Sequence, residues 1–336
     1  MRLSLLLGLL VAIVAVPLAG AQVVYPGGKG PGEGKHIVFI ASDHEYRSEE
    51  TCPALARILA KTHGFKCTVI FGVDEQGNIE PGSSKLPGME ALKEADLLVI
   101  FARFLSPSAE DMAQLTDYLG RGGPVVGLRT SSHAFKIAKG DANARYSFDW
   151  KGPEYENGFG HQVLGNTWVG HYGRNHKQGT RIELVPAQKA HPILTGVPDV
   201  TFCHAGGYTG IAAEDFTVLA TSQPLTTMDP GSAPAEGKVA MPSAWTRSYK
   251  SAAGKEARVF HSTQGASEDI LDAGYRRLLI NAIFWAAGLE AKITPQLGVD
   301  FVGPYQPTTF KFEGFVRGVK PADLGGFESP IMKKAD

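Results

Sequence analysis

The sequence predicts an α/β protein whose layered, mostly parallel sheet is covered by helices on both faces. Three observations lead there. Four short segments, "HIVFIA", "KCTVIFG", "DLLVIFA" and "PVVGL", are nearly unbroken apolar runs. Amphipathic stretches separate them, and the polar clusters follow the strands. A strand buried on both faces has no solvent side to alternate with, so continuous apolar runs mark a parallel sheet.

The elements follow in order. After a Gly/Pro-rich linker over residues 22–35 ("YPGGKGPGEGK"), His36 to Ala41 is the first strand. A helix is expected from Ser48 to about His63, with Ser48 as N-cap and Glu49 and Glu50 at its positive end. "KCTVIFG" is the second strand, and Leu86–Glu94 a short helix before the third, "DLLVIFA". Ser106-Pro107 is expected to cap a helix reaching Leu119, which "RGG" stops before the fourth strand, "PVVGL". Residues 131–180 carry glycine, aromatic and histidine residues without clear periodicity, and a loop of that length is usually functional. Short strands are read at "TRIELVP", "DFTVLAT", "MPSAWTRS" and "ARVFHST", then an amphipathic helix over Asp272–Ala287. A single domain over residues 36–290 is expected, with a C-terminal extension over 291–336 packing on it.

Composition narrows the function classes. The 336 residues carry 33 basic and 34 acidic side chains, a net charge of -1. Nucleic acid or an anionic membrane is not an expected partner of so balanced a chain. Residues 1–21 read as a cleavable signal peptide: a lone Arg2, an apolar run from Leu5 to Val16, Pro17, and the small-residue site Ala19-Gly20-Ala21. The run is shorter than the ~20 apolar residues a span needs, so a secreted or periplasmic protein without membrane insertion is expected. Cys52, Cys67 and Cys203 contain no C-x-x-C spacing and read as small buried residues.

In open α/β sheets ligands bind beyond the carboxyl ends of the strands. That rule selects "SDHEYRSEE", "ARFLSPS" and "RTSSHAF". Asp43, His44 and Glu45 crowd a helix entry, as candidates for proton transfer with a carboxylate orienting a histidine; the competing reading has Asp43 capping the turn. Arg103 is a candidate for binding a carboxylate or sugar hydroxyl, or for pairing with a nearby acid. Arg129 occupies the slot where many α/β enzymes hold a nucleophile, and a guanidinium is none. It would instead clamp a polar group of the substrate or lock a carboxylate. His133 follows and is expected to share a site with His44. Ser131 and Ser132 lack the final glycine of a hydrolase elbow. Tyr46 and Trp168 offer rings for a sugar face. "GHYGRNH" adds His171 and His176. A divalent metal such as zinc, needing three or four ligands at about 2 Å, has His44, His133, His171 and His176 as its candidate ligands.

With those segments in view, the chain resembles the ThuA-like (trehalose utilisation) family. The resemblance rests on "SDHEYRSEE", "GLRTSSHAF", "FGHQVLGNTWVGHYGRNH", "AHPILTGV", "MPSAWTRSYKSAAGKEARVFHSTQGA" and "YRRLLINAIFWAAGLE", in that order. It implies a flavodoxin-like, class I glutamine amidotransferase-like fold and a link to carbohydrate use, often beside sugar oxidoreductases. Amidotransferases of this fold need an elbow cysteine where this chain has Arg129, so glutamine hydrolysis is not expected. The family's usual acidic pair is replaced here by "CHAGGY", so no site role passes to Cys203 or His204.

The expected function is therefore that of an exported enzyme acting on a sugar or keto-sugar derivative. Its chemistry would be hydrolysis, elimination or isomerisation by histidine acid–base or metal-assisted catalysis. The alternative is a non-catalytic carbohydrate-binding protein. A small carbohydrate is the expected partner, and self-association into a homo-oligomer is the other candidate.

Overall fold

The computed structural model describes residues 22–332; the signal peptide expected at residues 1–21 lies outside them. After an edge strand β1 (Gln22–Tyr25), the apolar runs fold as β2 (His36–Ser42), β3 (Lys66–Phe71), β4 (Leu97–Ala102) and β5 (Val125–Leu128). The second half adds β6 (Asn166–Tyr172), β7 (Thr180–Leu184), β8 (Val200–Cys203), β9 (Gly207–Ala212), β10 (Thr217–Pro224), β11 (Met241–Lys250) and β12 (Glu256–Ser262). Ten strands form one sheet in the order β1-β3-β2-β4-β5-β12-β11-β10-β7-β8. β3, β2, β4, β5 and β12 are mutually parallel. Counted along the chain, those five lie in the order 2-1-3-4-5, the flavodoxin-like arrangement. The order reverses between β2 and β4, which opens a crevice at their carboxyl ends.

Three helices, α1 (Ser48–Arg57), α2 (Ala109–Gly120) and α3 (Ala273–Ala286), cover the sheet. Successive strand residues point to opposite faces, and here both faces are buried. Ile37, Phe39 and Ala41 join one core with α1 and α3, while Val38 and Ile40 join the other with α2. Apolar residues at every strand position thus serve two cores at once.

Several local expectations are corrected. The linker begins with β1, which pairs antiparallel with β3. Ser48 is not the N-cap of α1, because its hydroxyl accepts the Asp43 N–H at 2.8 Å; left-handed Arg47 (φ 62°) precedes the helix instead. The expected helix to His63 ends at Arg57 and continues as a π-turn over Ile58–Thr62. Ser108, not Ser106, caps α2 by accepting the Asp111 N–H at 3.1 Å. Leu86–Glu94 yields a 3-10 turn over Met89–Glu94. The helix expected from Asp272 begins at Ala273, and Asp272 is its cap, accepting the Tyr275 N–H at 2.9 Å.

The irregular stretch after β5 contains 3-10 turns, a π-turn over Gly160–Leu164, and β6, which pairs only with β9 in a separate ribbon. The tail is also ordered by burial. Phe310, Val319, Leu324, Ile331 and Met332 join the core of α1 and α3. Buried Arg57 donates to Ser329 O at 2.6 Å and Leu324 O at 2.9 Å. All three cysteines are buried and free, and burial raises each thiol pKa well above its ordinary value. Among the described residues no helix is long and apolar enough to cross a membrane.

The π-turn packs so tightly under the end of β5 that a Cβ on Gly160 would overlap the carbonyl oxygen of Ser132 and lie 2.7 Å from that of Asn166. Backbone cannot swing aside as a side chain can. Gly160→Ala should therefore destabilise the fold by about 1–3 kcal/mol, read as a lower urea midpoint with an unchanged slope.

Candidate functional site

The carboxyl ends of β2, β4 and β5 meet at one mouth, and strained backbone marks all three. Among the described residues seven non-glycine residues have positive φ, and Arg47 (62°), Phe104 (53°) and Arg129 (44°) stand just beyond these strands. Such conformations persist only where surrounding contacts hold them.

Arg129 is fully buried. Its Nη1 donates to Gly206 O at 2.7 Å and Thr263 O at 2.9 Å. Its Cζ lies 3.6 Å from the centre of the Tyr46 ring and 4.7 Å from that of Tyr208. The guanidinium is thus anchored on the protein's own backbone through Nη1, while its buried Nε and Nη2 have no partner in the protein. The same loops are held from the other side by buried Asp269. Its carboxylate accepts the N–H groups of Ala205, Gly265 and Ala266, each at 3.0 Å. Arg129 and Asp269 share no direct bond, yet peptide groups of both loops connect the two charges.

Above the guanidinium lies a hydrogen-bonded tyrosine–histidine pair. Asn175 Nδ2 donates to the Tyr46 hydroxyl at 2.8 Å, and that hydroxyl lies 3.2 Å from His171 Nε2. Which of the two donates in that contact is set by the His171 tautomer. Asn175 is itself fixed by the Gly206 N–H, donating to its Oδ1 at 3.1 Å. Burial raises the Tyr46 pKa, and Arg129 beneath it pulls the other way. Burial lowers that of His171, with Arg129 adding to the effect. At neutral pH the pair is a phenol and a neutral imidazole. His171 reaches solvent and lines a cleft of about 490 Å³ with Gly173, Arg174, Gln178 and Lys238.

His133 sits deeper. Its ring is 4.8 Å from Trp168, 5.6 Å from Tyr208 and 5.0 Å from Phe104, and Nδ1 is 3.2 Å from Ser132 Oγ. Burial, with Arg103 and Arg129 nearby, holds its pKa well below the usual histidine value. Trp168 also packs on His171 at 5.7 Å. The Trp168 Nε1 and Tyr208 hydroxyl are buried with no partner in the protein. His44 does not pack directly with His133 as expected; Phe104 is the ring next to both, at 6.4 and 5.0 Å.

The acidic residues are committed elsewhere. Asp43 Oδ1 accepts the N–H groups of Glu45 and Tyr46, so it shapes the turn. Glu45 pairs with Arg103 at 2.5 Å, both largely buried, so neither carboxylate orients a histidine. Ser131 donates to Ile100 O at 2.6 Å. His176 stacks on Phe310 at 4.5 Å. Among the described residues no three His, Cys, Asp or Glu side chains converge as a metal ligand set; His133 and His171 share Trp168 and Tyr208 as ring neighbours, whereas His44 packs near Phe312 and His176 on Phe310.

Sequence reasoning missed Tyr208, Asn175 and Phe104. Tyr208 and Asn175 belong to an irregular loop and a glycine-bounded ribbon that give no periodic signal; Phe104 follows Arg103 directly and had positional warning. A second cleft, of about 1070 Å³, lies by Thr116, Tyr155, Tyr249 and Glu256 and contains none of these residues. Size alone does not outweigh the convergence at the strand ends.

A family model described as trehalose utilisation, ThuA, matches residues 37–286. A solved ThuA-like protein from Bacteroides uniformis is 17% identical with a TM-score of 0.49, the match covering 82% of this chain and 100% of that one. One from Parabacteroides merdae is 17% identical with a TM-score of 0.47, over 83% and 97%. No curated protein matches the chain.

Replacing Arg129 by Met would leave the Gly206 and Thr263 carbonyls without their donor. A loss of at least about 2 kcal/mol is expected, at roughly 1–3 kcal/mol per orphaned buried group, measured by chemical denaturation. The His133 C2–H resonance should titrate well below the ordinary histidine range. Its depressed folded pKa makes the unfolded chain bind more protons, so its contribution to stability is complete above pH 6.5 and is lost as pH falls below it.

Proposed function

The chain belongs to the ThuA (trehalose utilisation) family, matched over residues 37–286, and on that premise we propose that it is an exported enzyme acting on a sugar or keto-sugar derivative by histidine-based acid–base chemistry. The observation that carries this reading is the Tyr46–His171 hydrogen bond, 3.2 Å long, laid over the buried Arg129 guanidinium and opening to the 490 Å³ cleft. Pockets of roughly 300–1,000 Å³ suit small ligands, and a mono- or disaccharide is of that size.

His171 is the proton acceptor in the tautomer whose Nε2–H donates to the Tyr46 hydroxyl, which leaves its Nδ1 lone pair free. When His171 takes a proton from a ligand hydroxyl or an acidic C–H, Tyr46 keeps the imidazole oriented. Arg129 lies beneath the Tyr46 ring, and Asn175 holds the phenol oxygen in place. Trp168 Nε1 and the Tyr208 hydroxyl are spare donors for ligand oxygens, and the Trp168 ring offers an apolar face. His133 stays neutral and fixes the Trp168 and Tyr208 rings. Hydrolysis, elimination and isomerisation all draw on such a proton acceptor. None of these roles calls for a bound ion. Export is supported by the apolar leader from Leu5 to Val16 and the small residues before Gln22.

The test is turnover of trehalose and its keto derivatives, followed by proton NMR, in the mature protein. His171→Ala and Tyr46→Phe should slow turnover by roughly 10²–10⁴-fold for the former and less for the latter, and chelation by EDTA should leave the rate unchanged. Tight binding without turnover in the wild type would replace the catalytic reading by that of a carbohydrate-binding protein.

A further inference from the structure

The tail beyond the family-matched residues runs across the mouth and is fixed there by buried contacts. Tyr305 donates its hydroxyl to Ser267 O at 2.7 Å, and Ser267 Oγ donates to Thr308 O at 3.0 Å. Glu50, at the start of α1, accepts the Thr308 N–H at 2.8 Å and its hydroxyl at 2.5 Å. Arg47 Nη2 donates to Lys311 O at 3.0 Å. These anchors set two rings differently. Phe310 is buried between Tyr46, at 5.1 Å, and His176, at 4.5 Å. Phe312 is 53% exposed, yet it is held 5.3 Å from the His44 ring and 4.9 Å from the Arg103 guanidinium.

A lone exposed aromatic is commonplace, but this one has its position specified. The Arg103 guanidinium lies near both Phe312 and Phe104, at 4.9 and 5.1 Å, and is paired to Glu45. The chain turns away directly after Phe312 through Glu313, whose φ is 55°. A half-exposed ring beside a guanidinium and an imidazole has the chemistry that recognises a pyranose. Its axial C–H groups lie on the aromatic face while its hydroxyls meet the charged groups at the rim.

We propose that Phe312 is a stacking platform for a sugar ring, so that the C-terminal segment, and not the family-matched domain alone, shapes the ligand site. Arg103 and His44 border the Phe312 ring. The proposal rests on the reading that the mouth takes a sugar and assigns it a second contact surface, apart from the Tyr46–His171 pair.

The probe is trehalose, titrated against the mature protein by saturation-transfer NMR, with thermal melts to verify folding. Phe312→Ala and Phe312→Leu should each weaken binding about tenfold, the worth of about 1.4 kcal/mol of stacking, and Phe312→Trp should preserve it. Wild-type affinity in the Leu variant would show that the ring only packs, and would overturn the platform. Unchanged affinity in the Ala variant, with loss in Arg103→Ala, would do the same while leaving the sugar site standing. No saturation transfer to trehalose in the wild type would remove the platform and the sugar reading together.

Discussion

The site depends on a positive charge that has no access to water. Arg129 stands at the end of a central parallel strand, where its left-handed backbone and complete burial must be offset by acceptors. Two carbonyls on distant loops and two tyrosine rings provide them. A buried guanidinium cannot shed its proton as a lysine can, so those loops have little freedom to move. Asp269 binds the amides of the same loops. The floor beneath Tyr46 is in this way tied from both signs of charge.

The electrostatics above that floor follow from it. Burial together with the nearby cations disfavours imidazolium at His133 and His171. Neutral imidazoles accept protons, whereas charged ones only donate. The buried Glu45–Arg103 pair is worth little as a stability device, since desolvation offsets most of its attraction. Its effect is positional: it connects the turns after β2 and β4 across the crevice where the strand order reverses.

Much of the architecture was legible in the sequence, and the failures have physical causes. Unbroken apolar runs such as "HIVFIA" and "DLLVIFA" announced strands buried on both faces, and the polar turns after them located the mouth. Asp43, His44, Glu45, Tyr46, Arg103, Arg129 and His133 do converge on that region. Their partners were harder to read. The Ser48 hydroxyl is taken by the preceding turn, a competition that local capping preferences do not register. The β6–β9 ribbon pairs outside the main sheet, with glycines and exposed positions that obscure a strand pattern. Arg129 announced a cation in an unusual slot, but the carbonyls that bind it are 77 and 134 residues away. Phe310 and Phe312 lie in a tail whose anchors on the domain are non-local.

The seating of that tail on α1 has a consequence for when the molecule becomes complete. Glu50 and Thr308 are separated by 258 residues, so this clasp closes only after almost the whole polypeptide has emerged. Until then the acidic start of α1 is hydrated. Burial, and then the neighbouring Glu49 carboxylate, raises the Glu50 pKa once the clasp is shut. Closure therefore takes up a proton: it is strongest in acid and weakens as the medium becomes more alkaline than the ordinary carboxyl range.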